Sequence, residues 1–273
     1  MAGADAVASG NPLVTRIITG VVLIIVAVAA VWLGGPAFTA LLAASTLIMF
    51  AEWAVMHRLG RGVRLAGLVL LGGVITLLQL VSVGEAVAAL AGGAGLLGLF
   101  AARLQKGSGF WTASGLLYCG LPAVALVCVR GLSLGLEATI FLLVCVWAAD
   151  IVAFFVGRSV GGPKLAPSIS PNKTWSGAIG GIVGAMAIGG GLATWYLAQR
   201  GGIGAGYFIG LAGGLAVLSV LGDLLESRLK RRAGVKDSGT LLPGHGGVMD
   251  RLDGLVPVAV AGAAVFALTG WAG

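Results

Sequence analysis

Charged residues are scarce in this chain of 273 residues, where Asp, Glu, Lys and Arg together make up only 10%. Soluble domains carry about 25% charged residues, so this sequence has too little polar surface to face water. The three cysteines, Cys119, Cys128 and Cys145, lie in apolar runs and form no CxxC pair. A soluble fold and a disulfide-rich secreted scaffold are therefore excluded, and no cysteine is spaced to share a metal with a histidine.

Apolar residues make up 58% of the chain, and the mean hydropathy is +1.05. A membrane-spanning helix needs about 20 consecutive, mostly apolar residues. The sequence therefore predicts an all-α, polytopic integral membrane protein with about nine transmembrane helices. The predicted spans cover 17–34, 36–56, 65–83, 86–102, 110–129, 136–157, 176–198, 205–226 and 255–272.

The basic residues predict the orientation of these spans. With the N-terminus in the cytoplasm, all of the 17 Lys and Arg residues except Arg130 and Arg200 fall on the cytoplasmic side, as the positive-inside rule requires. No aromatic-studded basic domain lies outside the spans, so no nucleic-acid partner is expected. Two cytoplasmic loops, 158–175 and 227–254, are long and polar. We divide the chain into an N-terminal membrane region, 1–140, and a catalytic membrane region, 141–273, that contains both loops.

Carboxylates in or beside the predicted spans need a reason, because each costs about 3 kcal/mol in the hydrocarbon. Near the end of the eighth span, four polar residues are spaced i, i+3, i+4 and i+7, which places them on one face of a helix. A second acidic pair, spaced i and i+3, precedes the last span. The first group is Asp223, Glu226, Ser227 and Lys230, and the second is Asp250 and Asp253.

Carboxylates beside a basic, glycine-rich loop are typical of a site for polyphosphates. Mg²⁺ binds carboxylate oxygens and keeps positions for phosphate oxygens, while Lys and Arg neutralise the remaining phosphate charge. The glycines of 243–247 leave room for backbone to approach phosphates closely. The sequence therefore predicts a magnesium and polyphosphate site in the second loop.

Structural interpretations compete with these functional ones. Glu52 has His57 and Arg58 nearby in sequence and is interpreted as a member of an ion pair. Asp150 and Arg158 lie two turns apart on one helical face, so they also form a candidate structural pair. The further structural interpretations are a loop residue for His245, a turn residue for Ser170, a topology determinant for Arg232 and close helix packing for the glycines of 180–191.

Segment 227–254 resembles the signature of the phosphatidate cytidylyltransferases, also called CDP-diacylglycerol synthases. It contains Ser-x-x-Lys-Arg, Lys-Asp, Pro-Gly-His-Gly-Gly and Asp-Arg-x-Asp in the family's order and spacing. The resemblance covers about 144–254, with two departures upstream, where Asn172 stands for a Lys and Ser176 for a Glu. The matching residues of the signature are Ser227, Lys230, Arg231, Lys236, Asp237, Pro243, Gly244, His245, Gly246, Gly247, Asp250, Arg251 and Asp253.

This resemblance implies transfer of a cytidylyl group from CTP to phosphatidic acid, giving CDP-diacylglycerol and diphosphate for phospholipid biosynthesis. It implies an enzyme that is embedded in a bacterial cytoplasmic membrane, in contact with membrane lipids, with its active site facing the cytoplasm. It implies Mg²⁺ as the cofactor, leaves open whether a monovalent cation joins it, and is compatible with a homodimer. Two alternatives remain open: a CTP-dependent membrane lipid kinase, and an ion-coupled transporter that uses its intramembrane carboxylates.

The resemblance also implies a role for individual residues. It implies catalytic roles for Asp223, Asp250, Lys173 and His245. It implies substrate binding by Ser227, Lys230, Arg231, Lys236, Asp237, Gly246, Gly247, Arg251, Arg158, Lys164 and Ser170. The expected metal ligands are Asp223 and Asp250, with Asp253, Glu226 and Asp150 as further ligands or their supports.

The orientation is testable by labelling single cysteines introduced into a cysteine-free protein. We expect labels in 158–172 or 232–242 to react from the cytoplasmic side and labels placed after Trp271 to react from the outside. Reaction of the C-terminus and of loop 227–254 from the same side would contradict the nine-span topology.

Overall fold

The computed structural model describes residues 12–197, 204–241 and 246–270. Helices account for most of these residues. The first half contains α1 (Pro12–Leu33), α2 (Gly35–Met56), α3 (Arg61–Leu77), α4 (Val83–Leu104), α5 (Ser108–Arg130) and α6 (Gly135–Val160). The second half contains α7 (Trp175–Ala185), a π-helical turn (Met186–Gly190), α8 (Gly191–Leu197), α9 (Ala205–Ala233), α10 (Met249–Leu252) and α11 (Leu255–Thr269).

Each predicted span overlaps helical residues, and the span 176–198 is divided among α7, the π-helical turn and α8. In the described residues, six helical stretches are long and apolar enough to cross a membrane: α2, α4, α5, α6, Trp175–Tyr196 and Gly206–Ala233. Two shorter apolar stretches, Thr19–Leu33 and Leu255–Thr269, lie near the two ends of the chain. The chain is therefore an all-α, polytopic integral membrane protein.

One feature that the hydropathy pattern did not predict lies in loop 158–175. Two short strands, β1 (Lys164–Ala166) and β2 (Ser170–Thr174), pair antiparallel, with Lys164 opposite Thr174 and Ala166 opposite Ser170. Thr174 then caps α7, because its side chain accepts a hydrogen bond from the backbone N–H of Gly177 at 3.1 Å. Cap and hairpin together fix the position of Lys173, the residue before the cap.

Helices α6 and α7 pack closely because glycines lie at their contact. A Cβ atom on Gly181 would stand 2.6 Å from the carbonyl oxygen of Ala149, and one on Gly177 would stand 2.9 Å from that of Ala153. No side chain fits at such distances, so the structure confirms close helix packing for this part of the glycine-rich segment.

The buried apolar residues form two main clusters, and both mix residues from before and after position 140. One cluster joins Phe50, Leu71, Leu90 and Leu116 of helices α2 to α5 with Met249 of α10. The other joins α1, α2, α5 and α6 to α9 and α11. The short helix α10 is thus anchored in the N-terminal helices, and the division of the chain at residue 140 stays a prediction.

Helix α9 extends further than its predicted span. It ends at Ala233. The next residue, Gly234, adopts φ 76°, and its backbone N–H donates hydrogen bonds to the carbonyl oxygens of Lys230 and Arg231. Residues 227–233 of the predicted loop are therefore helical. The basic residues of this last turn also face the negative end of the helix dipole, which favours their charge.

Candidate active site

Helix α9 holds the predicted charged face near its C-terminal end. Ser227 Oγ donates a hydrogen bond to Asp223 Oδ1 at 3.2 Å, one turn apart. Lys230 Nζ lies 3.3 Å from Glu226 Oε1, again one turn apart. These contacts confirm that Asp223, Glu226, Ser227 and Lys230 share one face of a helix.

A first ion pair joins this face to the hairpin. Lys173 Nζ on β2 donates to Asp223 Oδ2 on α9. The two side chains are 29% and 30% exposed, so both ends of the pair remain accessible. The pair brings together two of the predicted catalytic residues, which are separated by 50 positions in sequence.

This ion pair lies on the wall of a cavity of about 700 Å³ between α6, the hairpin, α7 and α9. The volume is within the range of small-molecule sites. Its polar lining brings Asp150, Arg158 and Lys164 next to Lys173 and Asp223. One cavity therefore collects five residues that the sequence placed in the site, including both members of the candidate pair Asp150 and Arg158.

A second ion pair joins α9 to α10. Lys230 Nζ donates to Asp250 Oδ1 at 2.6 Å, and the other oxygen of Asp250, Oδ2, accepts from Ser238 N, Ser238 Oγ and Gly247 N at 2.9, 2.9 and 2.8 Å. Burial alone would raise the pKa of Asp250, but the hydrogen bonds from Lys230, Gly247 and Ser238 outweigh it and lower that pKa. Asp250 is therefore held as a carboxylate, with one lone pair left on Oδ1.

Gly246 and Gly247 have a structural reason to be glycine at this carboxylate. Gly246 adopts φ 80°, a conformation that side-chain-bearing residues rarely take, and a Cβ atom there would stand 2.8 Å from Asp250 Oδ2. Gly247 donates its N–H to the same oxygen. The loop backbone thus approaches Asp250 closely, and contact of these glycines with phosphate stays a prediction.

Further carboxylates beside the ion pairs are not fully compensated. Glu226 is completely buried, and in the described part of the chain neither of its oxygens has a hydrogen-bond partner, although Lys230 lies within ion-pair distance. Burial, together with the nearby Asp223 carboxylate, raises the pKa of Asp253 to about 6. Glu226 and Asp250 share the single ammonium of Lys230, and Asp253 lies close to Glu226, so negative charge exceeds positive charge here, which suits a bound cation.

The described residues contain no group of three or more His, Cys, Asp and Glu side chains close enough to hold one metal ion. This geometry does not conflict with Mg²⁺, which is usually held by one or two carboxylates and otherwise by water and substrate phosphates. The residues present therefore fit a magnesium ion that is completed by a polyphosphate.

The remaining predicted site residues lie on the same helices and loops as the two ion pairs. Arg231 Nε donates to the carbonyl of Ile169 at 3.4 Å, which links α9 to the hairpin turn. Lys236 and Asp237 are exposed after the end of α9, Arg251 is exposed on α10, and Ser170 is half-buried on β2. His245 lies outside the described residues.

Sequence reasoning missed two residues of the site, Glu52 and Ser238. Glu52 was interpreted as the partner of His57 or Arg58, but its carboxylate accepts hydrogen bonds from Ser238 and from the backbone that precedes Asp250. His57 instead donates a hydrogen bond from Nδ1 to the carbonyl oxygen of Trp53 and stacks on Trp111. The one signal in the sequence was the cost of a carboxylate within an apolar span.

Comparison with known proteins agrees with this geometry. Residues 14–269 match the profile of the Cytidylyltransferase family. A phosphatidate cytidylyltransferase from Brucella abortus is 44% identical over 253 residues, which are 90% of this chain and 90% of that protein. The phosphatidate cytidylyltransferase of Haemophilus influenzae is 44% identical over 125 residues, 44% of this chain and 42% of its own. That of Bacillus subtilis is 44% identical over 139 residues, 50% of each chain.

Paired acidic and basic side chains at a cavity among apolar helices suit phosphate chemistry in a membrane protein. The family match extends over nearly the whole chain. The chain belongs to the Cytidylyltransferase family, and it is a nucleotidyltransferase.

Lys173 provides a first test of the site. Asn172 beside it is neutral, so no adjacent ammonium can replace its contact with a phosphate. We expect Lys173→Ala to lower kcat/KM for CTP by about ten- to a few-hundred-fold, since contacts of this kind contribute roughly 1.5–3 kcal/mol. Lys173→Arg should restore only part of this, because the broader guanidinium does not replace a point charge in a tight site.

Lys106→Ala, in another cytoplasmic loop, is the matched control and should keep wild-type activity. If Lys173 only fixed membrane topology, Arg would restore activity completely. Full activity of a correctly inserted Lys173→Ala protein would contradict both roles.

Proposed function

We propose that this protein is a CTP:phosphatidate cytidylyltransferase that makes CDP-diacylglycerol and diphosphate from CTP and phosphatidic acid. The observation that supports this most is the charged face of α9. Asp223 pairs there with Lys173 on the wall of the cavity, and Lys230 pairs with Asp250 of α10. Relatives named phosphatidate cytidylyltransferase, similar over 90% of the chain, identify the substrates. The family match favours neither a lipid kinase nor a transporter.

The proposal includes nine transmembrane helices, a cytoplasmic N-terminus and a location in a bacterial cytoplasmic membrane. The distribution of Lys and Arg supports this orientation. In this topology, the hairpin and the ends of α9 and α10 lie at the cytoplasmic face. CTP then enters from the cytosol, while phosphatidic acid presents its phosphate from the adjacent leaflet.

In the proposed reaction, a phosphate oxygen of phosphatidic acid attacks the α-phosphorus of CTP. A new oxygen–phosphorus bond forms, and the bond between the α-phosphorus and the bridging oxygen breaks to release diphosphate. The lipid phosphate is already ionised, so the attack needs no strong general base. Catalysis then depends mainly on positioning and on neutralising phosphate charge.

Lysine and arginine side chains provide this neutralisation. Lys173, Lys164 and Arg158 line the cavity and would hold phosphate oxygens there. Lys230 lies between Glu226 and Asp250 and is largely shielded from solvent. Its ammonium would neutralise these carboxylates and the phosphates bound beside them. Arg231, Lys236 and Arg251 are exposed. We propose that they form a basic surface at the edge of the site, which attracts the anionic substrates.

The proposed cofactor is Mg²⁺, with Asp223 and Asp250 as its direct ligands. Asp253, Glu226 and Asp150 supply further ligands or support them. When bound, the ion neutralises phosphate charge and orients the triphosphate. The carboxylates of Glu226 and Asp250, which share one ammonium, and the raised pKa of Asp253 support a cation in this region.

The proposed activity is tested with purified protein, phosphatidic acid and CTP labelled either at the α- or at the γ-phosphate. We expect label to enter the lipid from α-labelled CTP only, because a cytidylyl group is transferred. Label that enters from γ-labelled CTP would indicate a lipid kinase instead, and no labelled lipid from either would contradict the proposal.

The same assay tests the metal. Excess EDTA should abolish transfer and added Mg²⁺ should restore it, because the carboxylates otherwise repel the triphosphate. Asp223→Asn should lower turnover by more than about tenfold with the protein still folded in detergent. The matched control Glu137→Gln, at the opposite end of α6 from the cavity, should keep normal turnover. Full activity in EDTA would contradict a metal-dependent mechanism.

A further inference from the structure

Glu52 belongs to α2, in the N-terminal half of the chain, yet its hydrogen-bond partners lie in loop 227–254, which is called the catalytic loop below. Its carboxylate accepts from Val248 N at 2.9 Å through Oε1, and from Met249 N at 2.9 Å and Ser238 Oγ at 3.1 Å through Oε2. The residue is only 8% exposed. A buried carboxylate is stable in such a place only if donors surround it, and here the loop supplies them.

Glu52 and Asp250 share the donors of one short stretch. The consecutive N–H groups of Gly247, Val248 and Met249 divide between them, the first to Asp250 and the next two to Glu52. Ser238 Oγ stands 3.1 Å from Glu52 Oε2 and 2.9 Å from Asp250 Oδ2. The two carboxylates therefore share the one proton of this hydroxyl, and the position of one depends on the other.

The space around Glu52 gives an independent reason to connect it with the loop. A Cβ atom on Gly239 would stand 2.7 Å from Glu52 Oε1, and one on Gly247 would stand 2.6 Å from Oε2. Both positions lie too close for any side chain. Two segments of loop backbone, at Gly239 and at Gly247, thus approach the carboxylate closely.

We propose that Glu52 is a positioning residue of the catalytic loop. It holds Ser238 and the backbone of 247–249 so that Asp250 keeps Oδ2 in the loop and directs Oδ1 toward Lys230. Glu52 acts through these groups and touches no reacting atom. The effect of Glu52 on catalysis rests on the proposed function, whereas its contact with the loop does not.

The test compares the wild-type protein with Glu52→Gln by hydrogen exchange and by kinetics. The glutamine is nearly the same size, but it carries no charge and turns one acceptor into a donor that faces loop N–H groups. We expect amide exchange in a peptide that covers 246–252 to quicken by about tenfold or more, while peptides from α5 stay unchanged. The Mg²⁺ concentration for half-maximal activity should rise by about tenfold, with a smaller change in KM for phosphatidic acid.

Ser238→Ala is the second variant and removes only the shared hydroxyl. It should show the same two effects to a smaller degree, and adding it to Glu52→Gln should produce little further loss, since both act through one set of bonds. Glu137→Gln serves as the control in both measurements. If Glu52 had only a general structural role, its loss would lower Tm and the active fraction but leave the Mg²⁺ requirement of the remaining enzyme unchanged.

Unchanged exchange at 246–252 in Glu52→Gln would overturn the proposed contact. Quickened exchange with an unchanged Mg²⁺ requirement would overturn the positioning role. Wild-type protein without transfer from CTP to phosphatidic acid would instead overturn the proposed function, and the exchange measurement would still decide whether Glu52 holds the loop.

Discussion

The charged face of α9 packs among apolar helices and is only partly exposed, and the fold of the site depends on how its charge is balanced. Asp223 is balanced by Lys173 from the hairpin, and Lys230 by Asp250 from α10. Removing one partner of such a pair leaves an uncompensated charge in a poorly solvated place, which is costly. The two ion pairs therefore attach both polar segments to one helix, and the pair of Lys173 and Asp223 lies on the wall of the cavity.

What the sequence predicts well follows from local periodicity and hydropathy. The spacing of Asp223, Ser227 and Lys230 is set by one helix, so their common face could be inferred without any tertiary contact. Hydropathy located the helices because a membrane span is recognised from its own consecutive residues, also without any tertiary contact. The two-stranded hairpin was missed because it is short and polar, and a loop of that composition has no distinct pattern. The partners of Glu52 were missed because they lie 186 to 197 positions away, and only the packing of Met249 into the N-terminal helices brings them together.

The same acidic and basic groups that stabilise the substrate-free protein are those expected to bind substrates. Lys173 and Asp223 are each about one-third exposed, so their ion pair can open when better partners arrive. A triphosphate attracts the lysine, and a divalent cation attracts the carboxylate. Binding of the two should therefore be cooperative, because each removes the partner that the other side chain would otherwise keep.

This account is tested most directly by calorimetric titration of CTP into the wild-type protein and into Asp223→Asn, with EDTA and then with Mg²⁺. Without Mg²⁺, Asp223→Asn should bind CTP more tightly than the wild type, because Lys173 is free and a repelling carboxylate is gone. With Mg²⁺ the order should reverse, since the variant lacks a ligand for the ion. Wild-type protein that binds CTP at least as tightly as Asp223→Asn in EDTA would contradict an exchangeable ion pair at the centre of the site.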